Sequence, residues 1–359
     1  MTNSYPPKRP EWSNSKFVNR PKEKLWLDRN ECRNHKTISL IEQLSLASVN
    51  EHICSKYLDL GFLYNSLYSA YQIKESKVCF TNGADGAIRI FYEFLMTSGN
   101  NHNCYLMRPS YGMYEVYSRN YCKNTEFIDY EPFVNGNSNV FNILIKTLES
   151  APSKSSFILA NPESPTGLEF DNHQIEKIIS VCERKGIYFL LDETYKSFGS
   201  RPSPLFIDEI ISPFLFQVIS FSKSWGLSGF RIGCLNSNES NMRLIKRTRP
   251  MYEIGSFQAT LMAKCFDNRF LLEKYCIDTT YIRSRMVNLL NDLGIISHNT
   301  KSNFLHINKL SLTLNQFHWF DDNISYKTYT HSSLTDLIRM TVPSEDEMSY
   351  ILSSLTNLR

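Results

Sequence analysis

The chain has 359 residues, of which 42% are hydrophobic and 21% charged, so it can form one large folded domain and a smaller one. Its 39 Lys and Arg residues against 36 Asp and Glu residues leave a net charge of only +3, which argues against a dedicated nucleic-acid-binding surface. No apolar run is long enough to span a bilayer, and nine cysteines without paired spacing argue against a disulfide framework or a metal site.

Residues 1–24 are polar and rich in proline, which forbids a regular helix and predicts an irregular arm. They contain no apolar core of the kind found in a signal peptide. The scattered cysteines favour free thiols in a reducing compartment. We therefore expect a cytoplasmic protein without a membrane segment.

Residues 75–235 alternate between strand and helical patterns. Apolar spacing predicts early helices over 39–50 and 63–71, and Asp171 is suited to cap a later helix that runs through Cys182. Buried-type apolar runs predict strands at 78–81, 103–107, 157–160, 186–191 and 214–220. This order predicts an α/β fold, a three-layer α/β/α domain whose mostly parallel sheet binds ligands at the C-terminal ends of its strands.

The last hundred residues predict a smaller α+β domain. Residues 256–292 are interpreted as one long connecting helix, followed by strands at 303–307 and 337–342 and an acidic helix at 344–355. The predicted division of the chain is an N-terminal arm with part of the small domain (1–50), a large domain (51–255) and a small C-terminal domain (256–359).

The most informative stretch is residues 220–233, which reads S-F-S-K-S-W-G-L-S-G-F-R-I-G. Lys223 lies among apolar and small residues, where loss of hydration favours the neutral amine that can form a Schiff base with an aldehyde. The Ser220 and Ser222 hydroxyls and the Arg231 guanidinium suit a phosphate group beside that aldehyde. A single lysine would be interpreted as a solvated loop residue, but this spacing resembles the cofactor-lysine motif of class I/II aminotransferases, which use pyridoxal phosphate (PLP).

Two further motifs match that family at the ends of predicted strands. Asp192 follows the buried run at 186–191, and a carboxylate there is costly unless it meets a cation. The resemblance implies that this cation is the cofactor's protonated pyridine nitrogen, and that Tyr195 binds the cofactor's ring oxygen. Asn161 opens the motif N-P-E-S-P-T-G, and the resemblance implies that its amide binds the same ring oxygen and lines the substrate pocket.

Other segments complete the predicted cofactor site. A glycine turn leads from the strand at 78–81 into a helix, and the resemblance implies that Gly83, Ala84 and Asp85 contact the PLP phosphate. Tyr111 matches a tyrosine that stacks on the pyridine ring. Tyr57 matches one that reaches the partner subunit's phosphate, which implies a homodimer. Taken alone, each segment also fits an ordinary turn or a packed tyrosine.

The predicted substrate contacts come from the two ends of the chain. Asn30 lies in L-W-L-D-R-N-E, which resembles a family segment that passes the substrate pocket, although Cys32 replaces the family's proline. Arg339 matches the arginine that binds the substrate's anionic end through two parallel hydrogen bonds, although Pro343 replaces a glycine nearby.

The motifs are most similar to those of histidinol-phosphate aminotransferases, over about residues 25–355. This implies an enzyme that moves an amino group between an amino acid or phosphorylated amine and a keto acceptor. Lys223 would bind PLP and then move a proton between the substrate's α-carbon and the cofactor. The family's second phosphate-binding arginine is absent and Lys327 lies in its region, which leaves histidinol phosphate itself open as the substrate.

Two alternatives share these motifs. One is a PLP-dependent decarboxylase of an O-phosphorylated amino acid, which would release carbon dioxide without keto-acid exchange. The other is a regulatory module that binds PLP without turnover. The complete set of Lys223, Asp192 and Arg339 and the lack of a DNA-binding segment count against the regulatory module, and analysis of the products decides between the transaminase and the decarboxylase.

Overall fold

The computed structural model describes residues 23–50, 52–97, 103–131, 136–200, 205–207 and 210–358, so nearly all of the predicted irregular arm lies outside the described residues. The helices are α1 His35–Leu46, α2 Gly61–Tyr71, α3 Gly83–Thr97, α4 Gly112–Tyr121, α5 Gly136–Ser150, α6 Asn172–Lys185, α7 Phe221–Ser224, α8 Glu239–Thr248, α9 Ser256–Asp267, α10 Arg269–Asp292, α11 Leu314–Asn323 and α12 Glu345–Asn357. The strands are β1 Leu25–Trp26, β2 Val78–Thr81, β3 Asn103–Arg108, β4 Asn124–Asp129, β5 Ser156–Ala160, β6 Tyr188–Asp192, β7 Leu215–Ser220, β8 Gly233–Ser237, β9 Ser297–His298, β10 Phe304–Asn308, β11 Ile324–Ser325 and β12 Leu337–Thr341.

A seven-stranded sheet forms the centre of the molecule, in the order β2-β8-β7-β6-β5-β3-β4. β8 runs antiparallel to both of its neighbours, and the other pairs from β7 to β4 are parallel. Every residue of β5 and β7 is buried, as expected for strands covered by helices on both faces. The predicted α/β class and mostly parallel sheet are therefore confirmed.

The register of the central strands determines where the polar motifs meet. Ala160 of β5 lies opposite Asp192 of β6, and Asp192 lies opposite Val218 of β7. The residues that follow these strands therefore leave the sheet on the same side, at the C-terminal ends of the parallel strands. This side of the sheet, called the sheet edge below, carries Asn161, Asp192 and the short helix that contains Lys223.

Local capping explains where α6 begins and ends. The Asp171 side chain accepts a hydrogen bond from the Gln174 main-chain N–H, and the Gln174 side chain accepts one from the Asp171 main-chain N–H. Gly186 ends the helix in the left-handed conformation, with φ of 65°. The predicted cap is confirmed, and the helix extends three residues beyond the predicted end at Cys182.

Two predicted helices differ from the observed ones, and in both cases an asparagine side chain that hydrogen-bonds to the main chain sets the boundary. The single helix expected over 256–292 is wrong, because Asn268 interrupts it between α9 and α10. The Asn268 side chain donates to the Lys264 carbonyl at 2.9 Å, and its φ of −108° is not helical. The first helix begins at His35 rather than residue 39, because the Asn34 side chain accepts from the Thr37 main chain.

Two smaller sheets lie outside the central one. β12, β10 and β9 form an antiparallel sheet in that order, and β1 pairs in parallel with β11, so the described residues nearest the N-terminus join the C-terminal part. The domain limits given above stay a prediction. Among the described helices, none combines the length and apolar character needed to cross a bilayer.

Candidate active site

Lys223 lies in the short helix directly after β7, where the Ser220 side chain accepts from the Ser222 main chain and so caps the first turn. Its Nζ donates to the main-chain oxygen of Arg29 at 2.7 Å. Burial, reinforced by the positive charges of Arg339 and Arg231, lowers the pKa of Lys223 to about 8. The neutral, nucleophilic form of the amine is therefore far more accessible near physiological pH than for an ordinary lysine, in the direction that its apolar neighbours predict.

The buried carboxyl group of Asp192 accepts three hydrogen bonds. It is 3% exposed, and its Oδ1 accepts from the Thr194 main chain at 2.9 Å and from the Thr194 hydroxyl at 2.6 Å. Its Oδ2 accepts from the Tyr114 hydroxyl at 2.7 Å. Burial raises the pKa of Asp192, while these bonds oppose the rise. This arrangement suits a carboxylate whose missing counter-charge is a bound cation.

The contribution of Tyr114 was missed by the sequence reasoning. The sequence pattern assigns a function to Tyr111, and Tyr114 lies three residues further along the chain. Because α4 begins at Gly112, Tyr114 lies in the first turn of this helix, where its side chain is almost fully buried. The available signal was the spacing of three residues, which places two tyrosines on one face of a helix start.

Tyr195 and Asn161 lie close to Asp192 but bind different partners. The Tyr195 hydroxyl accepts from Asn30 Nδ2 at 2.8 Å. The Asn161 amide makes a two-way contact with the main chain of Phe170, at 2.8 Å through its oxygen and 3.0 Å through its nitrogen. The Phe170 backbone therefore fixes the plane of this amide at the strand end.

A second cluster surrounds the start of α3. Gly83 has φ of +69°, and a Cβ atom added there would lie 2.9 Å from Arg231 Nη2. Asp85 accepts from the Tyr111 hydroxyl at 3.0 Å and from Arg231 Nη2 at 3.4 Å. The buried Ser222 Oγ has no hydrogen-bond partner among the described residues. The N-terminus of this helix thus lies against a guanidinium, and Ala84 lies within its first turn.

Arg339 lies in the middle of β12 with 9% of its surface exposed. Its Nη2 donates to the main-chain oxygen of Asp28 at 2.7 Å. The guanidinium carbon lies 5.2 Å from the centre of the Phe304 ring and 5.7 Å from that of Tyr329. Because Nε is buried without a partner in the described residues, part of its donor set is left for an anion.

Tyr57 lies on the surface, with 78% of the residue exposed. Its ring stacks on that of Tyr252 with centroids 4.0 Å apart. Both line a cleft of about 910 Å³ that Lys56 and Arg249 also border. The structure therefore brings Asn161, Asp192 and Lys223 to the C-terminal ends of neighbouring parallel strands and leaves Tyr57 on an open face.

Comparison with known proteins gives the family of this chain. The family model described as "Aminotransferase class I and II" matches residues 22–355. The chain belongs to the class I and II aminotransferases. These enzymes depend on PLP, so the chain is a PLP-dependent transaminase that acts on small-molecule substrates.

Several members of the family with known names resemble this aminotransferase. Histidinol-phosphate aminotransferase 1 of Legionella pneumophila (strain Paris) is 24% identical over 328 residues, covering 87% of this chain and 86% of that protein. The crystal structure of histidinol-phosphate aminotransferase from Sinorhizobium meliloti in complex with pyridoxal-5'-phosphate has a TM-score of 0.74 and 17% identity, covering 93% and 90%. L-threonine-O-3-phosphate decarboxylase from Porphyromonas gingivalis has a TM-score of 0.67 and 16% identity, covering 93% and 99%. The solved structures share the fold of this aminotransferase.

The side chains described above have the positions and chemistry that PLP binding requires. The unsatisfied Ser222 hydroxyl and the Arg231 guanidinium that lies against Gly83 suit a phosphate group. The buried Asp192, with its three donors, suits a cationic ring nitrogen. The neutral form of Lys223 suits an aldehyde.

Proposed function

We propose that this transaminase moves an amino group between an amino acid or phosphorylated amine and a keto acceptor, and that Arg339 binds the substrate's anionic group. One observation carries the proposal. Lys223 Nζ and Arg339 Nη2 donate to the main-chain oxygens of consecutive residues, Arg29 and Asp28. The reactive amine and the anion-binding guanidinium are therefore held against the same short segment, so one small molecule can meet both.

PLP, when bound, supplies an electron sink for charge that develops at the substrate's α-carbon. Lys223 would hold the cofactor through its amine and, once released by the incoming amino group, move the proton at that α-carbon. Asp192 would hold the ring nitrogen in its cationic form. Tyr195 and Asn161 would bind the ring oxygen, and Asn161 also borders the substrate.

The phosphate of the cofactor would be bound at the start of α3. Main-chain N–H groups there are free of helical partners and carry the positive end of the helix dipole. The Arg231 guanidinium and the Ser220 and Ser222 hydroxyls complete the set that we propose, with Gly83, Ala84 and Asp85 contributing their main-chain N–H groups.

A phosphorylated donor is favoured by the relatives, which are named histidinol-phosphate aminotransferases, and by the place of Lys327. Lys327 and Arg339 exchange both main-chain hydrogen bonds, at 3.0 and 2.8 Å. Directly opposed residues of an antiparallel pair present their side chains on one face. A second cation beside the guanidinium therefore suits a dianion, as a point charge rather than a planar fork.

A single-turnover screen of amino donors tests this proposal. Holo protein is mixed with histidinol phosphate, other phosphorylated amines, glutamate and the unphosphorylated counterparts, and the cofactor's absorbance and the keto product are followed. We expect the cofactor's absorbance to change and a keto acid to be released. We also expect Lys327→Met to weaken the binding of phosphorylated donors about tenfold and to leave the binding of unphosphorylated donors unchanged. Conversion by none of the donors would refute the proposal, and carbon dioxide release without a keto product would assign the decarboxylase instead.

We further propose that the protein is a cytoplasmic homodimer in which Tyr57 serves the partner's cofactor phosphate. The exposed Tyr57–Tyr252 pair and the basic cleft beside it support a second copy as the occupant. All nine cysteines fall within the described residues and none of them forms a disulfide, which supports a reducing compartment. Mixing inactive Lys223→Ala with impaired Tyr57→Phe should restore activity through mixed dimers, and no restoration would count against the shared site.

A further inference from the structure

Three consecutive residues that follow β1, here called the strap (residues 28–30), each contact one of the side chains that carry the chemistry. The Asp28 carbonyl accepts from Arg339, and the Arg29 carbonyl accepts from Lys223, both at 2.7 Å. Asn30 differs because it acts through its side chain, donating from Nδ2 to the Tyr195 hydroxyl at 2.8 Å. The strap is thus a common support for the substrate end and the cofactor end of the site.

The position of Asn30 is fixed from several sides. Its main-chain N–H donates to Thr341 Oγ1 at 2.9 Å, and its carbonyl accepts from Asn303 Nδ2 at 3.0 Å. Its φ of 56° is left-handed, a conformation that asparagine adopts more readily than most residues other than glycine. It is 2% exposed, so its amide has little freedom to reorient. The amide therefore presents its nitrogen to the Tyr195 phenol from a rigid base.

We propose that Asn30 is a positioning residue for Tyr195, whose phenol it holds so that the O–H points at the ring oxygen of the cofactor. This rests on the proposed function of Tyr195. An amide nitrogen can only donate, so the phenol oxygen acts as the acceptor in this contact and its own hydrogen remains for another acceptor. Asn30 would then act on the cofactor through the tyrosine rather than on the substrate.

A measurable consequence follows for the colour of the bound cofactor. A donor to the ring oxygen stabilises negative charge there, and loss of that donor makes the oxygen hold a neighbouring proton more tightly. The pH midpoint of the cofactor's absorbance change should therefore rise when the phenol is no longer held. The other charged or titratable groups near the Tyr195 phenol are Arg339, Asp192, Tyr111 and Tyr329.

Asn30→Gly is the test variant, because glycine accepts a φ of 56° and removes the side chain without straining the main chain. The absorbance midpoint, the PLP dissociation constant and the melting temperature are measured for holo protein. We expect the midpoint to rise by about one pH unit, which corresponds to about 1.4 kcal/mol. Asn303→Ala is the matched control, since it loosens the same strap at its carbonyl and should lower the melting temperature without moving the midpoint.

A double-mutant cycle separates positioning from general loosening. Tyr195→Phe should raise the midpoint at least as far, and Asn30→Gly added to it should have no further effect, because its target is gone. Additive shifts, or an unmoved midpoint in Asn30→Gly, would overturn the inference. Asn30→Asp, which can only accept, should shift the midpoint as Gly does. A wild-type midpoint in Asn30→Asp would show that the phenol donates to residue 30, contrary to the inference.

These outcomes are distinct from failure of the proposed function. If wild-type protein takes up no PLP, or takes it up without an absorbance that depends on pH and on Tyr195, then the proposed role of Tyr195 is wrong. If wild type and Tyr195→Phe behave as expected and only the Asn30 variants do not, then the inference about Asn30 alone is wrong.

Discussion

Removal of one hydroxyl, in Tyr114→Phe, tests how the carboxylate under the cofactor is kept charged. The Tyr114 hydroxyl donates to Asp192 Oδ2 at 2.7 Å, and the remaining two donors both come from Thr194 to the other oxygen. A hydrogen bond to a charged group contributes about 1.5–3 kcal/mol. The pKa of Asp192 should therefore rise by about one to two units in the variant.

The direction of the pH effect follows from that rise. Burial raises the pKa of Asp192 and the Tyr114 hydroxyl lowers it, so the variant carboxylate gains its proton at a higher pH than wild type. PLP affinity requires the charged form, so it should fall about ten- to a hundredfold as pH decreases into the range where only the variant is protonated. The acidic limb of kcat/KM should move upward by the same one to two units.

The assay is a titration of apo protein with PLP at several pH values, together with the pH profile of kcat/KM. Tyr92→Phe is the matched control, because its fully buried hydroxyl contacts Cys104 Sγ and the Tyr114 carbonyl rather than a carboxylate. It should lower the melting temperature without moving the acidic limb. Unchanged affinity and an unmoved acidic limb in Tyr114→Phe, or an equal shift in Tyr92→Phe, would refute this account of Asp192.

Three further predictions concern the phosphate site, the substrate site and the loop after β5. Gly83→Ala places a methyl group 2.9 Å from Arg231 Nη2 at a φ of +69°, so PLP affinity should fall at least about tenfold. A Cβ at Gly229 would meet nothing within 4 Å, so Gly229→Ala should leave PLP affinity unchanged. Equal affinities in the two variants would contradict the proposed phosphate site at the start of α3. Arg339→Lys keeps the charge but loses the planar fork, so KM for anionic donors should rise about ten- to a hundredfold, and an unchanged KM would remove the arginine from the substrate site. Burial raises the pKa of Glu163 from 4.5 to about 7, so wild type should lose about 3 kcal/mol of stability as pH rises through that window, and Glu163→Gln should not. If the melting temperatures of wild type and Glu163→Gln change equally with pH from pH 4 to pH 8, the pKa of this carboxyl group is not raised by burial.

The sequence predicts the parts of the fold and site that local patterns specify. Lys223 and Asp192 each follow a buried apolar run, and parallel strands bring such positions to one edge, so their proximity could be anticipated. The cap at Asp171 could also be anticipated, because its hydrogen bonds span three residues.

Contacts between distant parts of the chain could not be predicted in the same way. Tyr114 meets a carboxylate 78 residues away, and Asn30 meets a phenol 165 residues away, so no local spacing indicates either bond. The break at Asn268 depends on whether one side chain takes a main-chain carbonyl, which the apolar period does not reveal. The partner contact of Tyr57 stays a prediction, since it depends on a surface that only a second copy completes.

The central claim is that the amine of Lys223 carries the cofactor, and borohydride reduction tests it most directly. Holo protein is reduced so that any imine between PLP and an amine becomes a stable bond, and the digested peptides are then examined by mass spectrometry. We expect the added pyridoxyl mass on the peptide that contains Lys223, and we expect that mass to be absent from the Lys223→Ala protein. The same mass on a different lysine, or on none, would contradict this claim.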